Sequence, residues 1–198
     1  MDSTLPRPAK RKPESLDKLK KSARKLFADR GYHATRPQDI ARDAGLGHGT
    51  FYLHYTDKRA CFLAFVEEAR VELYVSIRGR IGEANSLEEL IAGTLHAIYD
   101  YSDANPGVLG AAMSNEAIMD SEGRHSASLQ RRLASDWADI VRDGAQRGTV
   151  TSEFDSNIIG EAIVGAIHQS GLESERSGRP RSEVISNLTQ FLVRALRP

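Results

Sequence analysis

The chain has 198 residues, 27 basic and 27 acidic side chains, and one cysteine, which bounds it to one or two small domains and excludes an intramolecular disulfide framework. Zero net charge hides a division: residues 1–60 hold 14 Lys and Arg against 7 Asp and Glu, net +7, residues 61–198 hold 13 against 20, net −7, and all seven lysines lie at or before Lys58. A basic N-terminal part suits a polyanion, an acidic remainder is repelled by one, and with no run of 18 apolar residues the chain is expected to be soluble and cytoplasmic.

Residues 1–13 carry Arg7, Lys10, Arg11, Lys12 and three prolines without apolar surface to bury, so a disordered basic arm is expected there. Such an arm either follows a phosphate backbone or enters a minor groove, or is only a solvated leader. A first helix opens at Glu14 or Ser15, with Leu16, Leu19, Ala23, Leu26 and Phe27 on one stripe, and ends at Gly31. Residues 37–44 form a second helix, with Ile40, Ala41 and Ala44 on one face and Gly45 where a helix commonly stops. Leu46 plugs the turn from below. A third helix over residues 47–55 buries Phe51 and Tyr55, four apart, which leaves Gly49, Thr50, Tyr52 and Leu53 outward with His48 and His54 at the boundary. This is helix-turn-helix geometry, and an outward face of hydroxyls, imidazoles and a glycine suits a DNA major groove.

From about residue 59 to 79 a long helix follows, with Leu63, Val66, Arg70, Leu73 and Ile77 at helical spacing; Cys61, among Phe62, Phe65 and Val66, reads as a buried structural thiol. Ser86, Leu87, Glu88 and Glu89 match a capping box opening a helix through Leu90, Ile91, Thr94, Leu95, Ile98 and Tyr99, broken at Asn105-Pro106. A short helical piece through Leu109 and Met113 comes next, then a loop around residues 120–123, then a helix carrying Leu129, Leu133, Trp137, Ile140 and Val141, closed by Gly148. Asp155 or Ser156 caps a helix whose stripe (Ile158, Ile159, Ala162, Ile163, Ala166, Ile167) is too wide for one simple core contact, with Gly160 and Gly165 permitting close helix approach. A polar loop is expected over residues 174–181, and Val184, Ile185, Leu188, Phe191, Leu192 and Ala195 stripe the last helix. Both final stripes pack partly on the core. Their excess favours a homodimer through the last two helices, because a twofold pair of readers spans half-sites ~34–36 Å or a multiple apart.

No Gly-x-Ser-x-Gly elbow, Walker loop or His-Glu-x-x-His occurs, and His48 and His54, six residues apart, point ~240° apart on a helix, so neither an enzyme, a metal nor a cofactor is expected. In order and spacing, Ala23, Leu26, Phe27, Gly31, Tyr32, Thr35, Ile40, Ala41, Ala44, Gly45, Gly49, Thr50, Tyr52, His54, Tyr55 and Lys58 resemble the TetR family of bacterial transcriptional repressors. The match covers the first third of the chain. It departs at Gly47, where the family often has Ser or Thr, which removes a capping group and a hydroxyl, and at Tyr55, where the family often has Phe.

The resemblance implies an all-α fold of about nine helices: a helix-turn-helix domain over residues 14–58 and a ligand-binding and dimerisation domain over residues 59–198. It implies a ligand-responsive regulator, in the usual mode a repressor, that binds a palindromic double-stranded operator. Thr35, Arg36 and Gln38 would then lie near phosphate or a base edge, Gly47, His48, Gly49, Thr50, Tyr52 and His54 would face the groove, and Lys58 would reach the backbone. His48 serves equally well as a polar helix-start residue. His96, Tyr99, Met113, Met119, Trp137 and His168 are candidates for an effector cavity, though such residues also fill ordinary cores. The mostly apolar set suggests a hydrophobic or aromatic effector; the central stripes show no clear buried carboxylate for a cationic one. The alternative is a small-molecule-binding bundle without regulatory DNA binding.

Overall fold

The computed structural model describes residues 11–82, 84–113 and 129–198, so most of the basic arm, the expected loop around residues 120–123 and Met119 lie outside the described residues. Among these residues the fold is all-α, with nine helices: α1 (Arg11–Ala34), α2 (Pro37–Asp43), α3 (His48–Tyr52), α4 (Lys58–Ile81), α5 (Leu87–Ala104), α6 (Val108–Met113), α7 (Leu129–Gln146), α8 (Ser156–Ser177) and α9 (Arg181–Ala195).

The apolar stripe of α1 is buried as its spacing demands, with Leu19, Ala23, Leu26 and Phe27 each at most 3% exposed. The helix begins at Arg11, earlier than expected, because Pro13 falls in the first turn, where a missing N–H costs nothing, and Glu14 favours that end. Gly31 interrupts it at φ 74°. Arg36 is extended (φ −114°, ψ 150°), as a residue before proline prefers, and Pro37 opens α2. The end of α2 is a complete Schellman motif: the Leu46 N–H donates to the Ala41 carbonyl (2.9 Å), the Gly45 N–H to Arg42 (3.0 Å), and Gly45 takes φ 67°. The turn thereby fixes the angle at which α3 leaves α2.

α3 is shorter than the expected 47–55 helix, stopping at Tyr52; Phe51 (0% exposed) and Tyr55 (8%) still point inward, the Tyr55 N–H donating to the Phe51 carbonyl. Asp57 caps α4, its carboxylate accepting from the Ala60 N–H at 2.7 Å. At 24 residues α4 is ~36 Å long, enough to join the reader to the bundle. Phe62 meets Phe27 edge-on at 5.0 Å between ring centres and Tyr32 also at 5.0 Å, so α4 is clamped to α1 through rings.

Ser86 caps α5 by accepting from the Glu89 N–H at 3.1 Å, while the Glu89 carboxylate accepts from the Asn85 N–H, a variant of the expected box. Gly107, at φ 75°, presses α6 onto α1: a Cβ there would stand 2.7 Å from the Ala28 carbonyl oxygen. Gly160 does the same between α8 and α7, where a Cβ would stand 2.2 Å from the Ala134 carbonyl oxygen. This glycine therefore serves packing within the chain, whereas Gly165 faces open space. The expected loop over residues 174–181 is mostly helix. α8 runs on to Ser177, held by a Glu173–Arg176 pair and by the Ser177 hydroxyl on the Glu173 carbonyl, and turns at Gly178 (φ 66°). The polar composition reflected a solvated helix face.

Candidate DNA-reading face and effector cavity

The exposed surface of the helix-turn-helix carries Arg36, Gln38, Gly47, His48, Gly49, Tyr52 and Leu53, with Thr50 half-buried. His48 and Tyr52, one turn apart on α3, meet edge-on at 5.2 Å, and Tyr52 keeps half its surface. Gly47 caps α3 by backbone conformation alone (φ −66°, ψ 144°), with no side-chain bond, as its lack of a hydroxyl requires. At Gly49 an added Cβ would meet nothing within 4 Å, so the backbone there is open to close approach.

Three expected contact residues are engaged inside the protein. Thr35 is 0% exposed and its hydroxyl lies 2.8 Å from the Gly31 carbonyl and 3.1 Å from that of Leu26, which closes α1 and removes the side chain from any DNA surface. His54 shares a 2.7 Å hydrogen bond with Ser15 across to α1. The Lys58 ammonium donates to the Tyr32 carbonyl at 3.0 Å and lies 4.1 Å over the Tyr32 ring, and burial lowers its pKa, with Arg36 adding to the shift. Their family spacing marked them, but the same spacing serves packing of the turn on α1.

Helices α4 to α8 line a partly open cavity of about 480 Å3, within the range of small-molecule sites. Tyr99, Met113, Trp137 and His168 line it, four of the five described residues expected there. His96 does not. Thr94, Ile98 and Ser102 mark the cavity side of α5, and His96, two residues from Thr94 and Ile98, faces elsewhere. The rim also holds two carboxylates, Asp136 and Glu175, both exposed, so the expectation of no clear buried carboxylate is not contradicted. The Tyr74 hydroxyl donates to Asp136, whose pKa is raised by desolvation and by Asp139, against Arg70. Glu175 was legible, since 164, 168, 171 and 175 share one face of α8; Asp136 was masked by its place beside Trp137 in an otherwise polar stretch.

A polar clamp joins this bundle to the reader. Arg24 of α1 donates to both oxygens of Glu72 (3.1 and 2.7 Å) and to Asn105 Oδ1 (2.7 Å), and the Tyr101 hydroxyl donates to the same Glu72 at 2.9 Å. Among the described residues no group of three or more His, Cys, Asp or Glu side chains could hold a metal, and no helix is long and apolar enough to cross a membrane.

A helix-turn-helix carried by an all-helical bundle with a side pocket is the architecture these residues define. The model of bacterial regulatory proteins of the tetR family matches residues 20–65. An uncharacterised helix-turn-helix regulator of Bacillus subtilis, YerO, is 32% identical over 80 residues, 40% of this chain and 25% of that protein, so the chain's match spans a quarter of that relative's length. The transcriptional repressor KstR2 of Mycolicibacterium smegmatis is 26% identical over 159 residues, 72% of this chain and 71% of its own. In fold, the chain is similar to the fatty acid degradation regulator FadR of Bacillus halodurans, with a TM-score of 0.71, 18% identity, and 95% and 97% of the two chains covered. Residues 20–65 thus match the tetR-family model, the chain shares its overall fold with a regulator of that kind, and these relatives are regulators rather than enzymes.

Proposed function

We propose that this protein binds a palindromic operator as a homodimer, represses transcription from it, and is released when a small, largely apolar effector enters the cavity. The observation that carries this reading is one chain holding both an exposed reader face on α3 and a 480 Å3 cavity, with α1 clamped to α4 and α5 between them. We assign residues 14–58 to DNA reading and residues 59–198 to ligand binding and dimerisation. The reader face is then Arg36, Gln38, Gly47, His48, Gly49, Thr50 and Tyr52, with Lys58 and His54 supporting it from behind.

Dimerisation through α8 and α9 is supported by the large apolar side chains left exposed there: Ile158 at 70%, Leu172 at 48% and Phe191 at 61%. Ile158, Ala162, Gly165, Gln169 and Leu172 recur at three- and four-residue spacing along one side of α8, which suits a helix of a second copy. An effector acts by binding one arrangement of the readers better than the other, since equal affinity for both shifts nothing. KstR2 is a repressor, which is why repression is the sign proposed here.

Selection of bound duplexes from a random pool tests the DNA reading: an enriched palindrome is expected, and recovery of none overturns it. A reporter placed behind the selected sequence tests the sign, with expression expected to rise when the protein is deleted. Release of the selected duplex by apolar small molecules then tests the effector step.

A further inference from the structure

The cavity is not chemically uniform. Tyr99 of α5 is 8% exposed and part of the cavity wall, and its hydroxyl has no hydrogen-bond partner among the described residues. Buried phenols ordinarily find a partner, and an unmet donor is costlier than an unmet acceptor. Arg181 lies over the ring at 5.3 Å, so α9 sets the ring's placement rather than any bond to its hydroxyl. Facing it is Gly171 of α8, also on the wall, where a Cβ would have Tyr99 Oη, at 3.9 Å, as its sole neighbour within 4 Å. Gly171 therefore sets no side chain against this phenol. Besides burial, two charges act on Tyr99 with opposite sign: Arg181 first, and then Glu175, one turn further along α8 and part of the same cavity wall. Asp136 adds a second negative group and Arg78, the sole Lys or Arg among the described lining residues, a positive one; all three side chains, Glu175 included, are exposed.

Resting on the reading of this cavity as the effector site, we propose that the effector presents an uncharged carbonyl oxygen, of ketone, ester or amide type, to Tyr99 Oη over Gly171. Its apolar body lies along Leu73, Met113 and Trp137. The carbonyl satisfies the phenol's proton without bringing a negative charge towards Glu175, as a carboxylate would. The hydroxyl is covered in this state, and the proposal includes the small outward shift of α8 at Gly171 that lets a ligand oxygen meet it.

Trp137 is the only tryptophan in the chain and lies on the cavity wall, so its fluorescence reports occupancy. The full-length protein is titrated with 2-decanone, decane and decanoate. The wild type is expected to bind the ketone more tightly than decanoate, and the ketone-to-decane affinity ratio is expected to fall three- to tenfold, about one neutral hydrogen bond, in Tyr99→Phe. Gly171→Ala is expected to lower the same ratio, because its methyl group takes the carbonyl's place at ordinary contact distance while alanine favours the helix. Thermal melting gives an independent check: Tyr99→Phe removes an unpartnered hydroxyl and should leave Tm unchanged or higher. A ratio unaltered in both variants, tighter binding of decanoate, or a clear loss of Tm in Tyr99→Phe overturns the proposal while leaving an effector cavity in place. If none of the three probes perturbs Trp137, the cavity reading itself falls, and the proposal with it.

Discussion

Thr35 shows how one side chain can carry a family's spacing and yet serve packing. Its hydroxyl closes the end of α1 on the Gly31 and Leu26 carbonyls, so Thr35→Val is expected to destabilise the fold by about 1–2 kcal/mol in urea unfolding with the salt dependence of DNA binding unchanged. Tyr52 and Lys58 separate in the same experiment. Tyr52→Phe should weaken binding to all sequences alike at constant salt slope, since no charge is lost. Lys58→Ala should lower the slope by less than the ~0.9 of a full phosphate contact, because the ammonium is partly spent on Tyr32. A full loss of ~0.9 in a salt titration would return Lys58 to the DNA backbone. Cys61 was legible as buried from its apolar neighbours, and burial pushes its thiol up to about 12, with Glu68 adding to the shift. A thiol more basic when folded keeps its proton while the unfolded chain loses it, so stability is full below the unfolded pKa of ~8.5 and falls as pH rises above it. Denaturant midpoints measured from pH 8 to 10 should decline, by up to about 1.4 kcal/mol per pH unit from Cys61 alone; a flat profile contradicts its burial.

At the scale of elements, periodicity located every described helix, because one buried face imposes a repeat that composition cannot hide. The ends were less legible. α3 stops early because Tyr55 can be buried from a turn as well as from a helix, and α8 runs on because its polar tail makes its own i,i+3 pair. Two glycines on α8, alike in sequence, have opposite roles. Gly160→Ala drives a methyl group into the Ala134 carbonyl and is expected to cost about 3 kcal/mol or more, as α8 must lift from α7; Gly165→Ala meets open space and should be neutral or slightly stabilising to the isolated fold. Chemical unfolding of both variants under monomeric conditions measures the contrast, and equal effects would remove the packing argument.

For the whole molecule, the proposed arrangement needs two copies, since a single reader makes too few phosphate contacts to hold a specific site. Phe191→Glu, combined with Ile158→Glu, is expected to convert dimer to monomer in sedimentation and to reduce operator affinity by two orders of magnitude or more, with 2-decanone still perturbing Trp137. Dimers that persist in the double variant would place the interface elsewhere. The charge division, the helix count and the class of reader could be read from the chain alone, because a helix-turn-helix depends on contacts within about 35 residues and its turn chemistry is written at Pro37, Gly45 and Leu46. The polar anchor proposed for the cavity could not. Tyr99 and Gly171 lie 72 positions apart, and Asp136, Glu175 and Arg181 come from three different helices, so a hydroxyl's lack of a partner, a glycine's open side and the sign of charge on a wall exist only once α4 to α9 have packed.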